Sequence, residues 1–87
     1  MDRLELSHLA TLLRDAAGEG EGLPLDESNL DESFFELGYD SLALLQTIGV
    51  IERDFEVTLD EEALDEADTP RLIMDLVNAA LSARAAA

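Results

Sequence analysis

Ser41 is the residue of this sequence whose position most clearly suggests chemistry, since it follows Asp40 and opens an apolar run. A serine hydroxyl can attack a substrate, carry a covalent group or cap a helix. Attack on a substrate normally needs a base, and the only histidine, His8, lies in another predicted helix. The residues around Ser41 also lack the Gly-x-Ser-x-Gly pattern of hydrolase nucleophiles. We therefore predict that the chain is not an enzyme.

Carboxylates are the second group of side chains that could do chemistry, because they bind divalent cations. The acidic segment 26–31 has no central glycine and places Leu30 where a calcium loop needs an oxygen ligand, and segment 60–68 contains no glycine. Cysteine is absent, which excludes thiolate metal sites and disulfides. We expect no metal site.

The charge of the chain restricts its partners. The 87 residues include 21 Asp and Glu against five Arg, and the formal net charge is −16. Such a surface repels nucleic acid and anionic membranes and favours basic partner proteins. Acidity that serves only solubility is the alternative, and composition does not decide between the two.

The length and hydropathy of the chain predict one domain, residues 1–87, around a modest core. No apolar run approaches the roughly 20 residues that cross a bilayer. The N-terminus lacks the basic-then-apolar order of a signal peptide. We expect a cytoplasmic, monomeric protein.

Apolar residues at helical spacing predict the elements that position Ser41. A first helix is expected over residues 4–17, a second over 40–55, and a short acidic helix within 60–67. The last helix begins at an N-cap, Thr69, with Pro70 at its first position, and its alanine-rich end at 83–87 is expected to fray. The fold class is therefore all-α, a small four-helix bundle of three main helices and one short acidic helix.

The inner faces of the first and last helices consist of aliphatic residues. They are Leu6, Leu9, Leu13 and Ala16, with Leu12 at the edge, and Ile73, Leu76, Val77, Ala80 and Leu81. A long loop, residues 18–39, joins the first two helices, with an extended segment expected at 23–25. Its apolar side chains predict a packed loop rather than a disordered one: Leu30, Phe34, Phe35 and Leu37.

The second helix carries two apolar stripes. The stripe expected to face the core comprises Leu44, Thr47, Ile48, Ile51 and Phe55. The second stripe comprises Leu42, Leu45 and Gly49, rimmed by Asp40, Glu52 and Asp54. A helix buried on one side needs only one stripe, so the second indicates either deeper burial or an exposed surface for a partner.

The stretch from Phe34 to Leu42 resembles the attachment motif of acyl carrier proteins. In that motif an Asp-Ser-Leu triplet, here Asp40 to Leu42, opens the second helix after an upstream Leu-Gly pair. The continuation to Leu45 is similar to carriers of type II polyketide synthases, which make aromatic polyketides. Gln46 and Arg53 depart from the more acidic second helix of fatty-acid carriers.

The resemblance implies a function and a cofactor. Ser41 would carry 4′-phosphopantetheine, transferred from coenzyme A by a phosphopantetheinyl transferase, and would tether starter, extender and growing polyketide chains as thioesters. The partners implied are a ketosynthase with its chain-length factor, a malonyl transferase, a ketoreductase and cyclases. The residues expected to be recognised by them are Asp40, Leu42, Leu45, Gly49 and Glu52. For Asp40 the role expected is helix capping or recognition by the transferase. A fatty-acid carrier and a non-carrier acidic docking module are the alternatives.

Overall fold

The fold consists of four helices in the computed structural model, which describes residues 3–18 and 25–86. The helices are α1 (Leu6–Ala17), α2 (Ser41–Phe55), α3 (Glu61–Glu66) and α4 (Pro70–Ala86). No strand occurs in these two described stretches. The all-α prediction, with three main helices and a short acidic one, is confirmed. The extended segment expected at 23–25 lies almost entirely outside the described residues. Of the helices described, none is long and apolar enough to span a membrane.

Helix α1 begins later than the sequence predicted, because Leu4 packs in the core without being helical. Leu4 is fully buried, and the side chain of Asn78 in α4 pairs with its backbone. The Leu4 amide donates to Asn78 Oδ1 at 2.7 Å, and Asn78 Nδ2 donates to the Leu4 carbonyl at 3.1 Å. The two hydrogen bonds satisfy backbone groups that would otherwise be buried without partners. Within α1, Leu9 and Leu13 are fully buried, as predicted.

The loop between α1 and α2 is packed from Leu25 onward, and it is tied to the start of α4. Leu30 is buried and its carbonyl accepts from the Arg71 amide at 3.1 Å. The Phe34 amide donates to the Asp68 carbonyl at 3.0 Å, and the Phe34 ring is buried.

The packed loop is confirmed by Phe34 and Leu37, which are buried, whereas the side chain of Phe35 is 67% exposed. The amide of Leu37 donates to the Ser33 carbonyl at 3.1 Å, which makes this segment a helical turn. Neighbouring residues on such a turn point in different directions, so Phe34 faces the core while Phe35 faces solvent.

The core face of α2 is rotated slightly from the predicted one. Its buried residues are Ala43, Thr47, Ile48, Ile51 and Phe55. Ala43 was not predicted to be buried, and Leu44, which was, is only half-buried. Ala43 gives no strong hydrophobic signal, yet a small side chain allows close packing where α2 begins.

Helix α4 starts as predicted. The Leu72 amide donates to Thr69 Oγ1 at 3.2 Å, so Thr69 is the N-cap. The helix runs to Ala86, and the expected fraying of residues 83–87 stays a prediction. Arg84 holds this last part of α4 against the end of α2, donating to the carbonyls of Phe55 at 2.8 Å and Glu56 at 2.7 Å.

The unbalanced charge leads to a prediction about stability. In the described part of the chain the ion pairs are Arg53–Asp54, Arg71–Asp31 and Arg84–Glu56, each with an exposed arginine side chain. Exposed pairs contribute little, so they do not offset the repulsion among the acidic residues that remain. We expect the melting temperature to rise as NaCl is added, since salt screens this repulsion. Circular dichroism melts at low and high salt test this, and a constant melting temperature would contradict it.

Candidate functional site

Ser41 is the first residue of α2, and its side chain is exposed. The preceding residue, Asp40, is the N-cap: its Oδ1 accepts from the Ala43 amide at 2.8 Å, and its carbonyl accepts from the Leu44 amide at 3.1 Å. This confirms Asp40 as a helix cap. The cap fixes the direction of the first turn and so presents the Ser41 hydroxyl to solvent at the end of the helix.

The segment before Asp40 is held by backbone hydrogen bonds. The Tyr39 amide donates to the Phe34 carbonyl at 2.9 Å, and the Gly38 amide donates to the Phe35 carbonyl at 3.0 Å. Gly38 has a φ of +93°, a conformation that a residue with a side chain rarely adopts. The Tyr39 side chain is buried, which raises the pKa of its hydroxyl, although nearby Arg14 opposes the shift. The Leu-Gly-Tyr sequence thus forms the turn that delivers Asp40 and Ser41 to the helix.

The start of α2 offers backbone N–H groups to an anion, although the adjoining carboxylate of Asp40 repels one. The amides of Ser41 and Leu42 have no acceptor among the described residues, as expected at a helix N-terminus. These N–H groups and the positive end of the helix dipole favour a negative group beside the hydroxyl. The carboxylate of Asp40 is engaged by Ala43, so it does not occupy the Ser41 amide. A phosphodiester on the Ser41 oxygen therefore fits these residues.

His8 is at the wrong end of α2 to act as a base for Ser41. Its ring contacts Phe55, with centroids 5.3 Å apart and planes at 39°. Phe55 is the last residue of α2 and Ser41 is the first. Fourteen steps of 1.5 Å place the two ends roughly 21 Å apart. A His8–Ser41 nucleophile pair is therefore not formed.

The second apolar stripe of α2 is exposed rather than buried. Leu42 is 64% exposed and Leu45 is 66% exposed, and Gly49 also faces solvent. Of the two explanations for this stripe, deeper burial is wrong. Ser41 and the residues of this second stripe form a continuous exposed surface along α2. We call this surface, which consists of Ser41, Leu42, Leu45 and Gly49, the α2 stripe.

Glu52 has a structural contact that the sequence did not indicate. Its side chain is half-buried, and its Oε2 accepts from the Leu59 amide at 2.9 Å. The carboxylate thus orders the connection between α2 and α3, so one of its oxygens is not available for a partner. Asp54, also expected at the rim, lies 3.2 Å from the guanidinium of Arg53.

Clefts flank the α2 stripe on both sides, and neither could be predicted from the sequence. On the α3 side a cleft of about 680 Å³ is lined by Leu45, Ile48 and Leu64, among others. On the α1 side a cleft of about 630 Å³ is lined by Leu12, Ala16 and Val50, among others. Their shapes depend on how the helices are spaced, which periodicity within a single helix does not encode. A residue such as Leu64 could be predicted to be apolar but not to face a cleft.

Gly49 leads to a second stability prediction. An added Cβ would meet no atom within 4 Å beyond the neighbouring backbone of its own helix, so alanine fits at this position. We expect Gly49→Ala to stabilise the protein by about 1 kcal/mol, because glycine is unfavourable inside a helix. The melting temperature should rise by roughly 4–8 °C. The reverse change at an exposed position of α4, Ala79→Gly, should lower it by a similar amount. A lower melting temperature for Gly49→Ala would contradict this account.

The family match, the relatives in sequence and the similar solved structure all belong to one class of protein. Residues 9–77 match the family described as "Phosphopantetheine attachment site". The chain is 50% identical over 82 residues to the oxytetracycline polyketide synthase acyl carrier protein of Streptomyces rimosus, covering 94% of this chain and 86% of that protein. It is 48% identical over 80 residues to the granaticin polyketide synthase acyl carrier protein of Streptomyces violaceoruber, covering 92% and 94%. Its fold is similar to the solution structure of an oxytetracycline acyl carrier protein, with a TM-score of 0.84, 49% identity and coverage of 97% and 88%.

Proposed function

Since this chain belongs to the acyl carrier protein family, we propose that Ser41 carries the 4′-phosphopantetheine arm on which acyl chains are bound as thioesters. The observation that carries this assignment is the geometry of Ser41, an exposed hydroxyl at the first position of a capped helix. Family membership supports the cofactor, since the matched family is that of the phosphopantetheine attachment site.

Attachment uses the groups at the start of α2. A phosphopantetheinyl transferase brings coenzyme A to Ser41, whose oxygen forms a bond to phosphorus while the bond to the adenosine bisphosphate leaving group breaks. The hydroxyl proton passes to the transferase or to water. The amides of Ser41 and Leu42 favour the resulting phosphodiester. When bound, the arm supplies a thiol, which this cysteine-free chain lacks.

The pathway we propose is that of a type II polyketide synthase. The two curated relatives described above are carriers of polyketide synthases, and each aligns over at least 92% of this chain. The whole chain, residues 1–87, acts as one non-catalytic cytoplasmic carrier of starter, extender and growing chains. Its specific partners are a ketosynthase with its chain-length factor, a malonyl transferase, a ketoreductase and cyclases.

We propose that these enzymes recognise the α2 stripe. An enzyme that receives the arm of Ser41 must approach the adjoining surface, and the exposed side chains of Leu42 and Leu45 are apolar contacts there. Transient complexes need only a small patch, in which a few side chains contribute most of the binding energy. The chain's net charge of −16 favours partners with basic surfaces.

The pathway is tested by comparing condensing enzymes. The holo protein, loaded with a malonyl group, is offered to a type II polyketide ketosynthase with its chain-length factor and, separately, to a fatty-acid condensing enzyme. We expect a higher kcat/KM with the polyketide enzyme. Efficient use by the fatty-acid enzyme alone would contradict the polyketide assignment while leaving the carrier function intact.

A further inference from the structure

Helix α3 receives little support from its own sequence. It has six residues, whereas isolated helices shorter than about 12–15 residues are marginal in water. The side chain of its N-cap residue, Asp60, makes no capping hydrogen bond, and no residue of the helix is buried. Glu61 and Asp65 lie four residues apart, as do Glu62 and Glu66, and like charges at this spacing are destabilising. Contacts outside α3 must therefore hold it in place.

The residues at the two ends of α3 provide such contacts. Leu59, which precedes the helix, and Ala67, which follows it, are buried. After the helix, the Asp68 carbonyl accepts from the Phe34 amide at 3.0 Å, which ties this end to the loop between α1 and α2. Before the helix, the Leu59 amide donates to Glu52 Oε2 at 2.9 Å. A side chain of α2 thus holds the first end of α3, in addition to the burial of Leu59.

This hydrogen bond joins the two walls of a cleft. In the cleft of about 680 Å³ described above, Leu45 and Ile48 belong to α2 and Leu64 belongs to α3. Ile48 is buried and Leu64 is half-buried, so movement of α3 away from α2 would expose both to solvent. Glu52 and Leu59 line the same cleft. The bond between them therefore connects α2 to the segment that carries the opposite wall.

We propose that the hydrogen bond between Glu52 and Leu59 is a latch that holds α3 against α2 and keeps the cleft closed. When the bond breaks, α3 moves away from α2 while the other three helices stay folded. Segments with few buried contacts open in this way at a lower free energy than global unfolding. Hydrogen bonds to a charged acceptor are among the stronger ones in proteins, so one bond can control the opening of so short a helix. The latch belongs to the chain without its arm and does not depend on the proposed carrier function.

The charge of Glu52 and its hydrogen bond have opposite effects on α3. Glu61 and Asp65 line the same cleft as Glu52, so the negative charge of Glu52 repels α3. Its hydrogen bond to the Leu59 amide holds the same segment in place. Substitutions that change the charge and the reach of the side chain separately distinguish the two effects.

Three substitutions of Glu52 make this separation. Glu52→Gln removes the charge but keeps an acceptor oxygen at the same position. Glu52→Asp keeps the charge but is one methylene shorter, which moves the carboxylate out of hydrogen-bond range of Leu59. Glu52→Ala removes both, and Glu36→Ala, at an exposed position in the loop before α2, is the control for a lost charge. For each protein, the exchange of single amide hydrogens with deuterium is followed by NMR at several low concentrations of urea.

In the original protein, we expect the amides of Leu64 and Ala67 to exchange faster than that of Val77 in the core of α4. Their exchange should also respond less to urea, because local opening exposes less surface than global unfolding. Glu52→Asp and Glu52→Ala should speed exchange at Leu64 and Ala67 about tenfold, since a hydrogen bond to a charged group is lost. Glu52→Gln should stay within about threefold of the original protein, and the control within about twofold.

Three results would overturn the latch. One is faster exchange at Leu59 alone in Glu52→Asp and Glu52→Ala, because the bond would then order the connection without holding α3. Another is slower exchange at Leu64 and Ala67 in Glu52→Ala, which would make charge repulsion the larger effect. The third is exchange at Leu64 and Ala67 in the original protein that is as slow and as sensitive to urea as that of Val77. Should Glu52→Ala fail to fold, the comparison rests on Glu52→Asp and Glu52→Gln.

Discussion

Ser41→Ala is expected to abolish attachment of phosphopantetheine completely while leaving the helical fold in place. The hydroxyl is the only group at this position that can form the phosphodiester. Stability should change little, because the side chain that caps α2 is that of Asp40, which the substitution does not touch. Alanine is also the residue best tolerated in a helix. Incubation with coenzyme A and a phosphopantetheinyl transferase, followed by intact mass measurement, checks the loss, and circular dichroism checks the fold.

The matched control for this variant is Ser28→Ala. Ser28 is an exposed serine in the loop between α1 and α2, remote from a helix start. Its substitution should leave attachment unchanged. If Ser41→Ala still gained the arm, another serine, such as Ser28 or Ser33, would be the attachment site and the assignment of Ser41 would be wrong.

Leu45→Asp and Ile51→Asp are expected to have opposite effects, although both introduce an aspartate into α2. Ile51 is fully buried, so Ile51→Asp places an unpaired carboxylate in the core. That costs several kcal/mol, comparable with the whole stability of a small domain, and should unfold the protein. Leu45 is 66% exposed, so Leu45→Asp should lower the melting temperature only slightly. It should instead raise the KM of partner enzymes for the carrier at least tenfold.

Leu72→Asp serves as the control for the loss of an exposed leucine. Leu72 is 44% exposed and lies in the first turn of α4, where an acidic residue is favourable. It should leave transfer to partner enzymes unchanged. Loss of transfer in Leu72→Asp as severe as in Leu45→Asp would show that added negative charge, rather than the α2 stripe, is responsible. Unfolding of Leu45→Asp would contradict its exposed position.

The parts of the fold that the sequence predicted correctly are those with local signals. The start of α2 follows from Asp40, whose carboxylate bonds to an amide three residues away. The start of α4 could be predicted from Thr69, whose hydroxyl oxygen accepts from an amide three residues away, and from Pro70 at the first helical position. The stripe that contains Leu42 and Leu45 could be recognised by spacing, but only the structure distinguishes an exposed stripe from a second buried one.

Most of the features that the sequence did not predict depend on contacts between residues far apart in the chain. Leu4 was placed in a helix because its pairing with Asn78, 74 residues away, leaves no trace in the local pattern. The bonds from Arg84 to the end of α2 could not be predicted, because nothing near Arg84 in the sequence indicates them. The exposure of Phe35 could not be predicted, because hydropathy does not specify which side of a turn a residue occupies.

The candidate site was predictable to a similar extent. Ser41 and Asp40 could be identified because the motif is continuous in sequence and the helix start is local. Glu52 was expected only as a surface residue that partner enzymes recognise. Its carboxylate also accepts a hydrogen bond from the Leu59 amide, across the turn after α2. The clefts beside α2 could not be anticipated, because they depend on how α1 and α3 are spaced from α2.

The central claim is that one arm is bound at Ser41, and peptide fragmentation of the original protein tests it most directly. The apo protein is incubated with coenzyme A and a promiscuous phosphopantetheinyl transferase, digested, and sequenced by tandem mass spectrometry. The account predicts a single phosphopantetheine group per chain, located on Ser41 in the peptide that contains Asp40 and Leu42. A chain that gains no such group, or that carries it on any other residue, would contradict the account.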